Sequence, residues 1–303
     1  MTIRFDNRVA IVTGAGAGLG REHALLLARN GAKVVVNDPG GAVDGRGSSA
    51  AVADQVVAQI KAEGGQAVAS YDSVADRASA ANIVATAMNA FGRLDILVNN
   101  AGILRDKSFH KMEEGDFEFV VQVHLMGTVY CTMAAWPIMR EAKYGRVVVT
   151  TSGSGTSGNF GQTNYGAAKM GVLGLINCLR HEGAKYNILT NAISPSARTR
   201  MTEDLIPASV LEYMKPELVS PAVAWMASEQ CDVSGEVISA SAGSYSVVKY
   251  FQTEGVQFDP GKAVTLDMFE AAVPEIFDWS KQRSHGGSIA RLEARLRAMG
   301  RIK

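Results

Sequence analysis

Val9-Ala10-Ile11-Val12-Thr13-Gly14-Ala15-Gly16-Ala17-Gly18-Leu19-Gly20 is the stretch on which the fold turns. Its first five residues read as a buried strand, and the helical pattern Arg21 to Arg29 follows the glycines at once. A glycine-rich turn between strand and helix lets the backbone approach a pyrophosphate. The helix N-terminus then offers unpaired N–H groups and a positive dipole end to the phosphates. Tight strand-to-helix packing alone also produces such turns. The spacing Thr-Gly-x-x-x-Gly-x-Gly is narrower than the general dinucleotide fingerprint and favours the phosphate reading. Gly14, Gly16, Gly18, Leu19 and Gly20 are therefore candidate cofactor contacts.

Working outward, apolar β-branched runs recur near 8–13, 33–38, 66–71, 94–99, 145–151, 187–193 and 235–240, with helical stretches between most of them. That alternation predicts an α/β fold: a single doubly wound, Rossmann-type domain with a seven-stranded parallel sheet covered on both faces. Crossovers are right-handed in such sheets, and ligands bind at the carboxyl ends of the strands. The glycine turn, Asp38, Asp72, Asn99, Ser152 and Pro195 all follow strand ends, so they converge on one edge. The domain is expected over 1–245 and a C-terminal helical extension over 246–303, packing on the domain or on a partner subunit. Leu266 to Trp279 and Ile289 to Met299 carry helical apolar spacing in that extension. Arg291, Arg295 and Arg297 on the second stretch face either solvent or the phosphates of a ligand.

The chemistry points to Ser152, Tyr165 and Lys169. Tyr165 and Lys169 sit at i and i+4, so on a helix they share a face one turn apart. Ser152 ends the strand-like run Val147 to Thr151. A serine thirteen residues before a Tyr-x-x-x-Lys step places two hydroxyls and a cation in one cleft. A second Tyr-x-x-x-Lys, Tyr245 to Lys249, has Asp232 in the serine position and reads as chance.

Together these motifs resemble a known family. Thr13 to Gly20, Asn99-Asn100-Ala101-Gly102, Ser152 and Tyr165/Lys169 fall in the order of short-chain dehydrogenases/reductases. The closer match is to the (3R)-hydroxyacyl-CoA dehydrogenase unit of peroxisomal multifunctional enzyme type 2 and its stand-alone bacterial relatives. It is carried by Val34 to Gly41, Tyr71 to Val74, Ala101 to Asp106, Gly158 to Gln162 and Arg200 to Glu203. The resemblance implies an NAD-dependent oxidoreductase that converts a (3R)-3-hydroxyacyl-CoA, with a fatty or steroid side chain, to the 3-ketoacyl-CoA. A steroid or secondary-alcohol dehydrogenase is the alternative, and a non-catalytic dinucleotide sensor a remote one. It further implies a homodimer or homotetramer.

Within that resemblance, Asp38 ends the second strand, where an acidic residue accepts both ribose hydroxyls and repels a 2′-phosphate. Ala17 stands where NADPH-using relatives often carry a basic residue, so NAD is expected over NADP. Asp72 and Ser73 match positions beside the adenine, Asn99 a position at the cofactor ribose, and Thr199 a slightly displaced position near the nicotinamide. Asn100 is expected to hold the central strands. Tyr165 is the expected base, Ser152 holds the developing carbonyl, and Lys169 favours the phenolate and contacts the ribose. Lowering a phenol pKa by roughly 2–3 requires about 3–4 kcal/mol, which two partly desolvated cations can supply. His124 takes the place of an asparagine whose backbone carbonyl anchors a proton-relay water in many relatives. Relay or plain helix packing both remain open for it.

The chain has 303 residues and 47% apolar composition, ample for a large core. Thirty basic and thirty acidic residues cancel, which argues against a nucleic-acid or membrane-surface protein. Cys131, Cys178 and Cys231 show no Cys-x-x-Cys spacing and read as reduced, buried thiols. The histidines lack metal-ligand spacing, and no metal is expected. No apolar run reaches membrane-spanning length, and no leader precedes Val9, so a cytoplasmic enzyme is expected. The glycine- and serine-rich segment Pro39 to Ser49 is too long for a tight βα turn. It either contacts the adenosine side, the favoured reading, or is a mobile surface loop.

Overall fold

The computed structural model describes residues 3–200, 207–283 and 296–297. Its larger unit, Met1–Val248, is built on one eight-stranded sheet. The first half comprises β1 (Val9–Thr13), α1 (Gly18–Arg29), β2 (Lys33–Asn37), α2 (Ala51–Ala62), β3 (Gln66–Ser70), α3 (Arg77–Phe91) and β4 (Ile96–Asn99). A long helix follows: α4 (Glu114–Val121), a π-helical turn (Gln122–Met126) and α5 (Gly127–Ala142). Then come β5 (Gly145–Thr150), the short α6 (Gly153–Thr156), α7 (Thr163–Gly183), β6 (Ile188–Ser196), α8 (Ala208–Leu211), α9 (Ser220–Ala227), β7 (Val237–Ser241) and β8 (Ser244–Val248).

Strand order is β3-β2-β1-β4-β5-β6-β7-β8. β1 pairs in parallel with β2 on one side and β4 on the other, so the order reverses beside the glycine turn, where ligands bind in such sheets. All five residues of β1 are buried, as two-sided coverage requires. One face packs through Leu25 of α1, Ile60 of α2 and Val223 of α9. The other packs through Ile83 of α3, Cys131 and Met139 of α5, and Leu173 and Ile176 of α7.

Three expectations are corrected. The sheet has an eighth strand, antiparallel to β7, in place of seven parallel ones. Ala242 and Gly243 both have positive φ, 47° and 79°, which makes the two-residue turn whose twist suits a hairpin. Tyr245 therefore lies on a strand, half exposed, with its hydroxyl donating to the Leu218 carbonyl at 2.5 Å, and no helix carries the second Tyr-x-x-x-Lys. Second, the continuous helix Glu114–Ala142 is long and apolar enough to cross a membrane by length and composition. Its Val120, Val123, Cys131, Ala135 and Met139 are buried in the sheet's own core, which accounts for that composition. Third, Cys178 is exposed on α7, while Cys131 and Cys231 are buried thiols.

The second unit, Lys249–Lys303, contains α10 (Leu266–Ile276) and the antiparallel pair β9 (Gln252–Thr253) and β10 (Gln282–Arg283). Thr265 caps α10, its hydroxyl accepting from the Met268 N–H at 3.2 Å. The helix stops at Ile276, short of Trp279, two residues after Pro274. The stretch Ile289 to Met299 and the residues Met201 to Glu203 lie outside the described residues, apart from 296–297.

One ionic knot fastens the sheet edge opposite the ligand side. Asp95, buried just before β4, accepts from the Val9 N–H at 2.9 Å, from Arg8 Nη1 at 2.8 Å and from Arg93 Nη2 at 2.6 Å. Asp95→Ala strips a buried N–H and two cations of their shared acceptor. The expected loss is about 2–3 kcal/mol of unfolding free energy, read from urea denaturation at pH 7. A change under about 0.5 kcal/mol would show that solvent replaces the carboxylate.

Candidate active site

The site is built first from missing side chains. A Cβ at Gly20 would stand 2.2 Å from the Gly14 carbonyl oxygen, and one at Gly16 2.9 Å from the Asp38 carboxylate. Gly14 and Gly18 adopt φ of 62° and 53°, which other residues reach only with strain. β4 clamps this turn. The Thr13 hydroxyl accepts from the Asn100 and Ala101 N–H groups, both at 3.1 Å. Asn100 Nδ2 in turn donates to the carbonyls of Thr13 (3.0 Å) and Gly14 (3.1 Å). Among the described residues no side chain caps α1, so its first-turn N–H groups are available to an anion.

The turn opens on a cavity of about 660 Å³ at the carboxyl edge of the sheet. Gly14, Gly18, Leu19, Gly20 and Asp38 line one end of it. Ser152, Tyr165 and Lys169 line the other, and Ser73 and Thr199 also line the cavity. Thr199 approaches the turn closely, since a Cβ on Gly18 would stand 3.4 Å from its methyl group. Asp38 accepts from the Gly16 N–H at 2.9 Å through one oxygen and from the Gly40 N–H at 2.7 Å through the other. It thus joins the glycine turn to the start of segment 39–49.

Gly16, Asp72 and Asn99 are not among the described residues lining this cavity. Gly16 serves through its N–H to Asp38. The Asp72 carbonyl accepts from Asn37 Nδ2 at 2.9 Å, tying β2 to β3. Asn99 is buried and donates to Thr132 on α5 at 3.2 Å. Residues from the segments that carried the resemblance or were read as an adenosine-side loop, though not named as site residues, also line the cavity. Val43 and Gly45 arrive on segment 39–49, Ile103 and Leu104 on the chain after β4, and Asn159 and Gln162 before α7.

Ser152 caps the short α6, its hydroxyl accepting from the Ser154 N–H at 3.2 Å. α7 then delivers Tyr165 and Lys169 one turn apart. Asn164 is fully buried beside them, and its Oδ1 accepts the Tyr165 N–H at 2.7 Å. The electrostatics depart from expectation. Burial pushes the Tyr165 phenol up to about 12, a hydrogen bond from Ser152 pulls it back, and the charge of Asp106 pushes it further up. Lys169 does not offset this rise. Its ammonium lies 5.4 Å from the Tyr165 ring centroid and donates to the Thr150 carbonyl at 2.6 Å. Burial draws Lys169 down to about 7. Desolvation of both groups therefore outweighs their proximity.

His124 sits in the π-helical turn, buried, its ring edge-on to Tyr165 with centroids 4.9 Å apart. Its Nε2 lies 3.0 Å from the Ile103 nitrogen and 2.7 Å from the Ile103 oxygen. Burial first, and the Lys169 charge second, hold the imidazole well below its ordinary value, hence neutral. A Cβ at Gly102 would fall 2.3 Å from the ring, so that glycine is the space His124 occupies. Gln162 completes the wall: its Oε1 accepts from Ser154 Oγ at 2.6 Å, and its Nε2 donates to Asp106 at 2.6 Å. Asp106 is itself pushed up by burial.

Comparison with known proteins identifies the family. The family model described as short chain dehydrogenase matches residues 8–209. A short-chain type dehydrogenase/reductase of Mycobacterium tuberculosis is 55% identical over 281 residues, 93% of this chain and 98% of that one. Peroxisomal multifunctional enzyme type 2 of Drosophila melanogaster is 48% identical over 290 residues, which are 95% of this chain. The chain spans about half that relative's length, 48%. The solved structure of the full-length fly enzyme superposes with a TM-score of 0.82, covering 98% of this chain and 50% of that one at 40% identity. A 7α-hydroxysteroid dehydrogenase complexed with NADH and 7-oxo glycochenodeoxycholic acid superposes at 0.72 with 28% identity, covering 79% of this chain and 95% of that one.

The Lys169 burial has a measurable sign. An unfolded lysine keeps its proton up to about 10.5, whereas the folded one releases it near 7. Between those values the unfolded state binds more protons, so folding is favoured as pH rises through the window and disfavoured as it falls. Lys169→Met removes this buried titration. The variant is expected to exceed the wild type by about 2–4 kcal/mol at pH 6. The gap should close toward pH 10, as read from urea unfolding at both pH values. A pH-independent gap would place the ammonium in contact with water.

Proposed function

Since the chain belongs to the short chain dehydrogenase family, we propose that it oxidises the 3-hydroxyl of a (3R)-3-hydroxyacyl-CoA to the 3-ketoacyl-CoA with NAD. The observation that carries the chemistry is the single cavity holding the glycine turn at one end and Ser152, Tyr165 and Lys169 at the other. The substrate class rests on the likeness to the dehydrogenase unit of peroxisomal multifunctional enzyme type 2. A secondary-alcohol or steroid substrate is a second reading, favoured by the likeness to 7α-hydroxysteroid dehydrogenase.

The residues present fit a dinucleotide. The three glycine positions without room for a Cβ, and the uncapped N-terminus of α1, would hold its pyrophosphate. Asp38 would accept from the ribose hydroxyls and repel a 2′-phosphate. Ser73 would face the adenine, Thr199 the nicotinamide side, and Lys169 the second ribose. When bound, NAD supplies the hydride acceptor and a positively charged ring.

Tyr165 takes the proton of the substrate hydroxyl as the C–H bond at that carbon is given up. Ser152 hydrogen-bonds the oxygen as it becomes a carbonyl. Burial holds the phenol near 12 and the amine near 7, and a positively charged ring bound beside them would favour the phenolate. A phenolate one helical turn away restores the ammonium form of Lys169, so the two proton movements assist each other. Gln162 and Asp106 fix a polar wall beside the reacting oxygens.

The test is NADH formation, followed by its near-ultraviolet absorbance, on adding (3R)-3-hydroxyacyl-CoA and NAD to the full chain. Tyr165→Phe is expected to bind NADH as the wild type does and to lose turnover by about 10³- to 10⁴-fold. Asp38→Ala is expected to narrow the preference for NAD over NADP by at least about tenfold in kcat/KM. Turnover of steroids or simple alcohols alone would select the second reading. A mild loss in Tyr165→Phe would remove Tyr165 as the base.

A further inference from the structure

The cavity has one wall that the reaction chemistry leaves unexplained, segment 39–49. Its ends are closed by the Ser49 N–H donating to the Pro39 carbonyl at 2.9 Å. Its base hangs on Asp38 through the Gly40 N–H at 2.7 Å. Its tip is a tight turn, in which the Gly45 N–H donates to the Ala42 carbonyl at 3.0 Å and the Ala42 N–H to the Arg46 carbonyl at 2.8 Å. From the end of β2 the segment crosses to the chain that follows β4. There the Leu104 N–H donates to the Val43 carbonyl at 2.9 Å and Arg105 Nε to the Asp44 carbonyl at 3.0 Å.

The landing is shaped for this tip. Gly45 has φ of 84°, and a Cβ on it would stand 2.8 Å from the Phe119 ring and 3.2 Å from Ile103. Arg105 is itself held from three sides. Its guanidinium lies 4.5 Å over the Phe119 ring centroid, and its Nη1 meets Asp116 at 3.2 Å. Its backbone carbonyl accepts from Asn164 Nδ2 at 3.0 Å, and Asn164 holds the Tyr165 N–H. One residue therefore ties segment 39–49 by its side chain and the catalytic helix by its carbonyl.

We infer that Arg105 is a positioning residue that latches segment 39–49 as a strap across the adenosine side of the dinucleotide, so that cofactor release requires the latch to open. The inference rests on reading the cavity as a dinucleotide site. Both acceptors at the tip are backbone carbonyls, so the latch depends on Arg105 and on Gly45 rather than on the side chains of 43 and 44. Two hydrogen bonds hold the tip, and four glycines (Gly40, Gly41, Gly45 and Gly47) hinge it. Such a segment opens locally at far lower cost than the sheet that carries it. Segment 39–49 also separates the roles of two residues in one line. Asp38 selects the ribose, and Arg105 sets how long the selected cofactor stays.

The experiment is NADH dissociation from the full chain, measured by stopped-flow displacement with excess NAD and NADH fluorescence. Arg105→Ala and Gly45→Ala are each expected to raise the off-rate by about tenfold and to raise KM for NAD correspondingly. Arg105→Lys, which keeps a donor for the Asp44 carbonyl, is expected to recover part of the effect. Since the Arg105 carbonyl survives in every variant, the acidic limb of the kcat/KM pH profile should stay where the wild type has it. Off-rates within about twofold of wild type in both alanine variants overturn the latch. So does a loss confined to kcat and thermal midpoint. A wild-type chain that binds no NADH in fluorescence titration overturns the cofactor reading itself, and the latch with it.

Discussion

The close approach of backbone to backbone at Gly14 and Gly20 is the constraint on which the remaining architecture depends. A single Cβ at Gly20 would meet the carbonyl of Gly14 at 2.2 Å, closer than any relaxation of a flexible side chain could relieve. That closeness aims the N-terminus of α1 across the end of β1 and leaves its first N–H groups without a cap. It holds only because β4 grips the turn from the opposite side through Thr13 and Asn100. The parallel pairing of β1 with β4 at the reversal of strand order is thus a functional requirement as well as a packing one.

Much of this was legible because it depends on residue type at fixed spacing. Buried parallel strands read as continuous apolar runs, so β1, β2 and β5 fall within a residue of the runs near 8–13, 33–38 and 145–151. β8 was missed for a definite reason. Ala-Gly lacks the Asn-Gly or Asp-Gly signature of a tight hairpin, and the turn is made by an alanine at φ 47°. The exposure of Cys178 depends on which helix face meets the sheet, which composition does not state. In the site, residue identities were readable, whereas the partners of Asp72 and Asn99 are tertiary facts.

Electrostatics were the least legible part. The i, i+4 spacing of Tyr165 and Lys169 suggests a cation lowering a phenol, but spacing carries no information on burial. Both groups are desolvated, and each is pushed toward its neutral form, the phenol to about 12 and the amine to about 7. Neutral His124, edge-on to the phenol, adds no charge that would offset this. Asp106 works against the anion from the far side. An arrangement of that kind keeps the phenol protonated until a positive charge enters the cavity.

That last property links the chemistry to segment 39–49. If ionisation of Tyr165 waits on a cationic ring, a dinucleotide that leaves early takes the driving force for proton transfer with it. Residence of the cofactor then matters to the base as well as to binding, and coupling the two through one residue is physically economical. Arg105 meets that requirement from both ends, its guanidinium on the Asp44 carbonyl and its own carbonyl on Asn164, the neighbour of Tyr165. The alternative, a strap anchored only at Asp38, would leave its tip to thermal motion and its glycines without a landing. The exclusion of any Cβ at Gly45 by Phe119 and Ile103 argues against that alternative, because a segment indifferent to its landing has no need of so close a fit.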